Sequence, residues 1–207
     1  MSLSAPSGPS TAVDRPVRSV LLVCTANICR SAFAHRMLQW MLPDLTVRSA
    51  GVAAMVGHPV EKLMAAELAR RGVSAEGHSA RQIQASDLTA DLILVMSPSH
   101  RTVLLEEWPE AVGRIGLMST VASLRAQAGA ALSTADVAQW ARGSFTDEGV
   151  PDPYRQGRRA AAEAAASLTS YLEHLADQIV PEHLAHFLDE PSHPAAHTGW
   201  EQEGPSA

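Results

Sequence analysis

Short apolar runs mark four segments of the chain as strands. The run LILVM at 92–96 is the clearest of them, and it ends before Pro98. The run at 20–23 is also continuously apolar, which is typical of a parallel strand covered on both faces. The predicted strands are residues 20–23, 46–49, 92–96 and 115–118.

Between and after these runs, apolar residues recur every three or four positions, as they do in helices with one buried face. Helices are predicted from residue 31 to before Pro43, over 60–72, around 103–104, and over a long alanine-rich segment that ends at 179. Strands that alternate with helices imply parallel pairing. The pattern therefore predicts an α/β fold, with a four-stranded parallel sheet and helices on both of its faces.

The two ends of the 207-residue chain differ from its body in composition. Residues 1–18 contain prolines among serines and are predicted to be a disordered arm. Residues 181–207 contain five acidic residues and no Lys or Arg, so they are predicted to be a flexible tail with several His and Pro residues. Residues 19–180 then form one domain, in which 119–150 are an insertion with many small residues and no strand pattern.

Composition excludes several classes of protein. The net charge is −6, and the body is nearly neutral once the two ends are set aside, with no basic run. Nucleic acid is therefore not expected as a partner. No apolar run approaches the ~18 residues of a membrane span, so membrane insertion is not expected either. Cys24 and Cys29 are too few for a disulfide scaffold, and without an apolar signal segment a cytoplasmic protein is expected.

The stretch CTANICRS at 24–31 follows the first predicted strand and opens the first predicted helix. Backbone N–H groups converge at such a junction and form a phosphate-binding loop. The spacing C-x5-R-S would place the Cys24 sulfur below the bound anion, while Arg30 clamps its oxygens. The N–H dipoles, Arg30 and the Ser31 hydroxyl all favour a thiolate, so Cys24 is a candidate nucleophile.

A nucleophile that displaces an oxygen also needs an acid to protonate the leaving oxygen. Asp152, in the stretch PDPY before the last helix, is the candidate. An Asp-Pro pair alone is more often a turn that leads into a helix, and a cysteine at a strand end can be a packed core residue. Only the combination of the loop and the acid points to catalysis.

These motifs resemble those of the low-molecular-weight protein tyrosine phosphatase family, over residues 19–179. The stretches VGHPV and AEGHSARQI are most similar to the bacterial branch, which includes partners of tyrosine autokinases. The matching motifs are VCTANICRS at 23–31, SAG at 49–51, HSARQ at 78–82, DLILVM at 91–96 and PDPY at 151–154.

The resemblance implies a role for each matching residue. Cys24 would form a phosphocysteine, Arg30 would bind the phosphoryl oxygens, and Asp152 would act first as acid and then as base. No metal or other cofactor is implied, because Arg30 and the loop N–H groups carry the charge load. The implied substrate-binding residues are Thr25, Ala26, Asn27, Ile28, Cys29, Ser31, Met55 and Tyr154. The implied loop-supporting residues are Asn27, Ser49 and His78. The implied partner is a phosphotyrosine protein, with a tyrosine autokinase as one candidate.

Several positions depart from the family pattern. Ala26 stands where glycine is common, and Ala32 replaces a usual proline at the helix start. His35 replaces a usual glutamate. Ser97 replaces a common aspartate after the third strand. This change leaves open what holds the loop that carries Asp152, which we call the acid loop. The insertion is the largest departure. Because it leads into Asp152, we expect its short helix, around 135–141, to lie beside the catalytic mouth; the alternative is that the insertion is a passive surface excursion.

Three alternatives remain open. Arsenate reductases of this fold need two further cysteines near and after the third strand, which this chain lacks. Arginine phosphatases of the fold carry threonine where Ile28 stands, and Ile28 should crowd a phosphoguanidinium group. A phosphotyrosine-binding module without catalysis would be expected to lack Cys24, Arg30 or Asp152.

Overall fold

The computed structural model describes residues 14–143 and 148–180, so the predicted tail and most of the predicted arm lie outside the described residues. Its centre is a four-stranded sheet in which all pairings are parallel, with the strand order β2-β1-β3-β4. All four predicted strands are present, so the predicted sheet is confirmed. The strands are β1 (Ser19–Cys24), β2 (Thr46–Gly51), β3 (Leu92–Val95) and β4 (Ile115–Leu117).

Helices cover both faces of the sheet, as predicted. Three helices, α1, α2 and α5, pack together on one face, while α3 lies on the other. No helix in 14–143 or 148–180 has the length and apolar character that crossing a membrane requires. The helices are α1 (Arg30–Met41), α2 (Lys62–Ala69), α3 (Pro98–Glu107), α4 (Thr134–Ala141) and α5 (Gly157–Ile179). Short 3-10 segments lie at Ala85–Thr89, Pro109–Gly113 and Met118–Ser123.

Strand β1 is buried on both sides, which explains its unbroken apolar sequence. Leu22 packs into the cluster formed with α1 and α5, whereas Leu21 and Val23 pack into the cluster that contains Leu104 of α3. Alternate side chains of a strand point to opposite faces, so a strand covered on both faces must be apolar throughout. Since β1 is fixed by two neighbouring strands and two helix layers, the residue at its end, Cys24, has a well-defined position.

The segment 14–18 is docked on the domain, so the prediction of a disordered arm is wrong for these residues. The Val17 side chain is buried, and its N–H donates to the Leu132 carbonyl at 2.8 Å. The Asp91 carboxylate forms an ion pair with Arg15 and accepts further hydrogen bonds from the chain around residue 18. A buried carboxylate with several donors fixes the entry of the chain into β1.

The helix of the insertion, α4, lies along the edge strand β4 rather than at the catalytic loop. The Thr134 N–H donates to the Arg15 carbonyl at 2.9 Å, which places the start of α4 at the amino end of the sheet. The Trp140 indole lies directly over Gly116, where a Cβ atom would be 2.1 Å from the ring. The expectation that this helix lies beside the catalytic mouth is therefore wrong, and Phe145 lies outside the described residues.

Candidate active site

The loop that joins β1 to α1 forms the floor of the site. Cys24 ends β1 and Arg30 begins α1, and both side chains are buried. The start of α1 has no side-chain cap from Cys29. The first N–H groups of an α-helix lack partners within the helix, so here they are available to an anion bound above Cys24.

Asn27 holds the loop in its curled form. It is fully buried and has a φ of 58°, in the left-handed region that asparagine tolerates better than most residues. Its side-chain oxygen accepts from the Arg81 N–H at 3.0 Å, and its Nδ2 donates to the Ser31 hydroxyl at 2.9 Å. Because a backbone N–H can only donate, the amide orientation of Asn27 is fixed.

The orientation of Asn27 also decides what the Ser31 hydroxyl does. Ser31 Oγ accepts from Asn27 and lies 2.9 Å from Cys24 Sγ. A hydroxyl group carries one proton. The Asn27 amide donates to the Ser31 oxygen, so this bond does not use the Ser31 proton. The Ser31 proton is therefore available for donation to the Cys24 sulfur.

Two histidines extend this network to β2. His78 Nε2 lies 2.8 Å from the Asn27 carbonyl, so this nitrogen carries the donated proton. Ser49, which the resemblance implies as a loop-supporting residue, has its hydroxyl 3.2 Å from His35 Nδ1. The His35 and His78 rings meet edge-on at 6.2 Å.

Both histidines are harder to protonate than a histidine in water. Burial is the main cause that lowers the pKa of His35 to about 4, and the charge of the neighbouring His78 is the second cause. Burial also lowers the pKa of His78, although its bond to Asn27 opposes the shift.

Arg30 connects the loop to the acid. Its Nη2 lies 2.8 Å from Asp152 Oδ2, and its Nη1 donates to the Val150 carbonyl at 3.0 Å. The Arg30 Nε atom is buried and has no hydrogen-bond partner among the described residues. A buried donor without an acceptor is rare, and a phosphoryl oxygen would satisfy it. This observation supports an anion site at the loop.

A backbone hydrogen bond holds the acid loop, which is the role that the aspartate common in the family at position 97 was expected to have. The Val150 N–H donates to the Met96 carbonyl at 2.9 Å, which extends the pairing of β3 into the acid loop. Gly149 permits this approach, because a Cβ there would lie 2.5 Å from the same carbonyl oxygen. Ser97 instead caps α3 by accepting from the His100 N–H at 3.4 Å. The loop that carries Asp152 is therefore held by a backbone hydrogen bond, and Ser97 is not needed for this purpose.

Met55 and Tyr154 are brought to the rim of the site, where each is partly buried against the core. The Met55 N–H donates to the Ala26 carbonyl at 3.0 Å, which attaches the Met55 loop to the catalytic loop. The Tyr154 N–H lies 3.2 Å from Asp152 Oδ1. Their contact with the aromatic ring of a substrate remains a prediction.

Cys29 differs from Cys24 in its surroundings, although both are buried and free. Burial, and secondly the Glu61 carboxylate, raises the pKa of Cys29 to about 12. Cys29 therefore remains a thiol at neutral pH, and it directly precedes Arg30 in the chain. Ile28 is buried beside it.

His100 is a residue of the site that the sequence interpretation missed. It is only 5% exposed, its Nε2 lies 2.9 Å from Thr25 Oγ1, and its Nδ1 lies 2.9 Å from Ser97 Oγ. Burial, and secondly the charge of Arg30, lowers the pKa of His100 to about 4. The available signal was its position just after a buried strand, at the same sheet edge as the loop.

Comparison with known proteins agrees with this geometry. The family model "Low molecular weight phosphotyrosine protein phosphatase" matches residues 19–133. The chain belongs to this family. The resemblance noted in the sequence is thereby confirmed.

Individual relatives extend the match over most of the domain. The low molecular weight protein-tyrosine-phosphatase Wzb of Escherichia coli K12 is 35% identical over 162 residues, which cover 77% of this chain and 91% of Wzb. The crystal structure of the tyrosine phosphatase AmsI of Erwinia amylovora matches with a TM-score of 0.64 and 27% identity, over 81% of this chain and 95% of AmsI. The arginine phosphatase YwlE of Geobacillus stearothermophilus matches with a TM-score of 0.65 and 25% identity, over 85% and 99%.

Proposed function

We propose that this protein hydrolyses phosphotyrosine on proteins through a phosphocysteine intermediate on Cys24. The observation that carries the proposal is the placement of Arg30. Its guanidinium bonds the carboxylate of Asp152 while its unpaired Nε lies buried at the phosphate-binding loop. Arg30 thus bonds the acid directly and belongs to the same loop-and-helix junction as the nucleophile, as a reaction at a phosphoryl group bound there requires.

In the first step, the Cys24 thiolate attacks phosphorus, and an S–P bond forms as the bond to the tyrosine oxygen breaks. Asp152 gives its proton to that departing oxygen. The loop N–H groups and Arg30 stabilise the charge on the three equatorial oxygens. The incoming phosphoryl dianion competes with the Asp152 carboxylate for the Arg30 guanidinium.

In the second step, Asp152 is a carboxylate and removes a proton from water. The water oxygen attacks phosphorus, the S–P bond breaks, and Cys24 leaves as a thiolate while inorganic phosphate is released. Ser31, whose Oγ lies 2.9 Å from Cys24 Sγ, stabilises the departing sulfur by donating a hydrogen bond to it. No metal ion is needed in this scheme.

The specificity for tyrosine is supported by Ile28 and by the named relatives. Ile28 stands where arginine phosphatases of this fold carry threonine, and its larger branched side chain should crowd a phosphoguanidinium group and suit an aromatic ring. The structural match to an arginine phosphatase keeps phosphoarginine as the second candidate. Arsenate reduction has no support, because the sequence offers no cysteine besides Cys24 and Cys29.

A hydrolysis assay tests the proposal with three matched peptides that carry phosphotyrosine, phosphoserine or phosphoarginine. We expect phosphate release mainly from phosphotyrosine, and none from the Cys24→Ser variant, which should still bind the peptide. Preference for phosphoarginine would replace the tyrosine assignment. Hydrolysis by Cys24→Ser within tenfold of the wild type would remove Cys24 as the nucleophile.

Similarity to the bacterial branch of the family supports one class of natural substrate. The stretches around residues 56–60 and 75–83 resemble the bacterial branch, and Wzb of E. coli is a relative in that branch. A cytoplasmic tyrosine autokinase is therefore the substrate class that we propose. Dephosphorylation of such a kinase by the purified protein, compared with an unrelated phosphotyrosine protein, tests this point.

A further inference from the structure

His100 is a buried histidine that the two chemical steps do not use. It belongs to the first turn of α3, just after β3, and its side chain reaches the catalytic loop. Its bond to Thr25 joins two parts of the chain that are 75 positions apart in sequence. Burying an imidazole ring is unfavourable unless both of its nitrogens find hydrogen-bond partners. The partners of His100 therefore indicate what this side chain does.

Both ring nitrogens of His100 have partners, and the two partners belong to different elements. Nδ1 meets Ser97 Oγ at 2.9 Å, on the residue that caps α3. Nε2 meets Thr25 Oγ1 at 2.9 Å, on the residue that directly follows the nucleophile. The imidazole therefore ties the beginning of the catalytic loop to the rigid carboxyl end of β3.

The surroundings of His100 indicate that it works as a neutral hydrogen-bonding group. Arg30 and Asp152 are the charged groups that act on its ring. With a pKa of about 4, the imidazole is uncharged at neutral pH. An imidazolium there would repel the Arg30 guanidinium, which has to bind the phosphoryl group.

We propose that His100 is a positioning residue for catalysis: its hydrogen bond to Thr25 fixes the first loop residue after Cys24. The Cys24 sulfur and the N–H groups that follow then keep the geometry that the phosphoryl group requires. The inference rests on the proposed function, but it concerns the loop itself rather than the group that leaves. Loss of the bond should therefore affect small and large substrates alike.

Two substitutions separate the two nitrogens of the ring. The amide of glutamine reaches the position of Nε2, whereas the shorter amide of asparagine reaches only that of Nδ1. We expect His100→Gln to keep kcat/KM within about threefold of the wild type, since it can still bond Thr25. His100→Asn loses that bond, and kcat/KM should fall roughly tenfold, which corresponds to one hydrogen bond.

A double-mutant cycle with Thr25 tests whether the bond itself matters. Thr25→Val removes the same bond from the other side and should also lower kcat/KM roughly tenfold, while Thr25→Ser should restore it. The double variant should be no worse than either single variant, because the same interaction is lost only once. Losses that multiply to about a hundredfold, or an unaffected His100→Asn variant, would overturn the inference.

Two controls complete the experiment. His174→Gln changes a histidine of α5 that contacts the Leu124 carbonyl, and it should leave activity unchanged. Binding of inorganic phosphate is measured in the Cys24→Ser background, with and without His100→Asn, where we expect roughly tenfold weaker binding. This readout does not depend on turnover, so it distinguishes failure of the inference from failure of the proposed tyrosine phosphatase activity. Unchanged phosphate binding would count against the positioning role.

Discussion

Substitution of Asn27 should separate backbone strain from hydrogen bonding in the catalytic loop. Asn27→Ala places a Cβ-bearing residue without a local polar group at φ 58°, which costs about 1 kcal/mol. It also removes the bonds from Asn27 to Ser31 and Arg81 in a fully buried position, at about 1 kcal/mol each. We therefore expect Asn27→Ala to lower the free energy of unfolding by about 3 kcal/mol.

Asn27→Gly isolates the hydrogen bonds, because glycine adopts the left-handed conformation without steric cost. It should lower the free energy of unfolding by about 2 kcal/mol, so that alanine and glycine differ by roughly 1 kcal/mol. Arg155 is a matched control, since it also has a positive φ, of 60°, but lies exposed after the acid loop. Its alanine and glycine variants should differ by a similar amount, while both stay near the stability of the wild type.

Urea unfolding with linear extrapolation gives these free energies, and the same variants are assayed for kcat/KM. Both Asn27 variants should lose activity. Without the bond from Asn27, the Ser31 hydroxyl can rotate away from the Cys24 sulfur. The reasoning fails if alanine and glycine are equivalent at position 27 but not at Arg155. It also fails if Asn27→Ala costs less than about 1 kcal/mol.

Three further predictions follow from the site. Asp152→Asn should lower kcat roughly 10²–10⁴-fold for a phosphotyrosine peptide, but much less for an activated aryl phosphate, and equal losses would exclude Asp152 as the acid. The pKa of both His35 and His100 is about 4 in the folded protein, below the ordinary value, so the unfolded chain binds more protons under about pH 6.5. Stability should therefore fall with pH from about 6.5 towards 4, by about 1 kcal/mol per unit for each histidine; urea unfolding of His100→Gln should show a smaller slope. Peroxide should inactivate the enzyme reversibly if Cys24 and Cys29 form a disulfide, and Cys29→Ala should make the loss permanent, whereas equal recovery with a thiol reductant would make Cys29 a packing residue.

The strands, the helices and the chemistry of the catalytic loop could be predicted from the amino-acid sequence. A short apolar run such as that of β1 is typical of a strand buried on both faces, and the spacing C-x5-R-S brings a cysteine and an arginine to one anion within a single short loop. These features depend on neighbouring residues, so local preferences and spacing suffice to predict them. Asp152 could be assigned as the acid only because the loop supplies a nucleophile, and a leaving oxygen displaced by that nucleophile needs a proton.

Contacts between groups that are distant in the chain could be identified only from the folded molecule. His100 reaches Thr25, Ser49 reaches His35, and the insertion packs along β4 against the segment 14–18. None of these contacts leaves a periodic pattern, because each joins side chains or backbone groups that are far apart in the chain. They form because a buried polar group must find a partner wherever packing brings one within about 3 Å, and packing is a property of the whole fold.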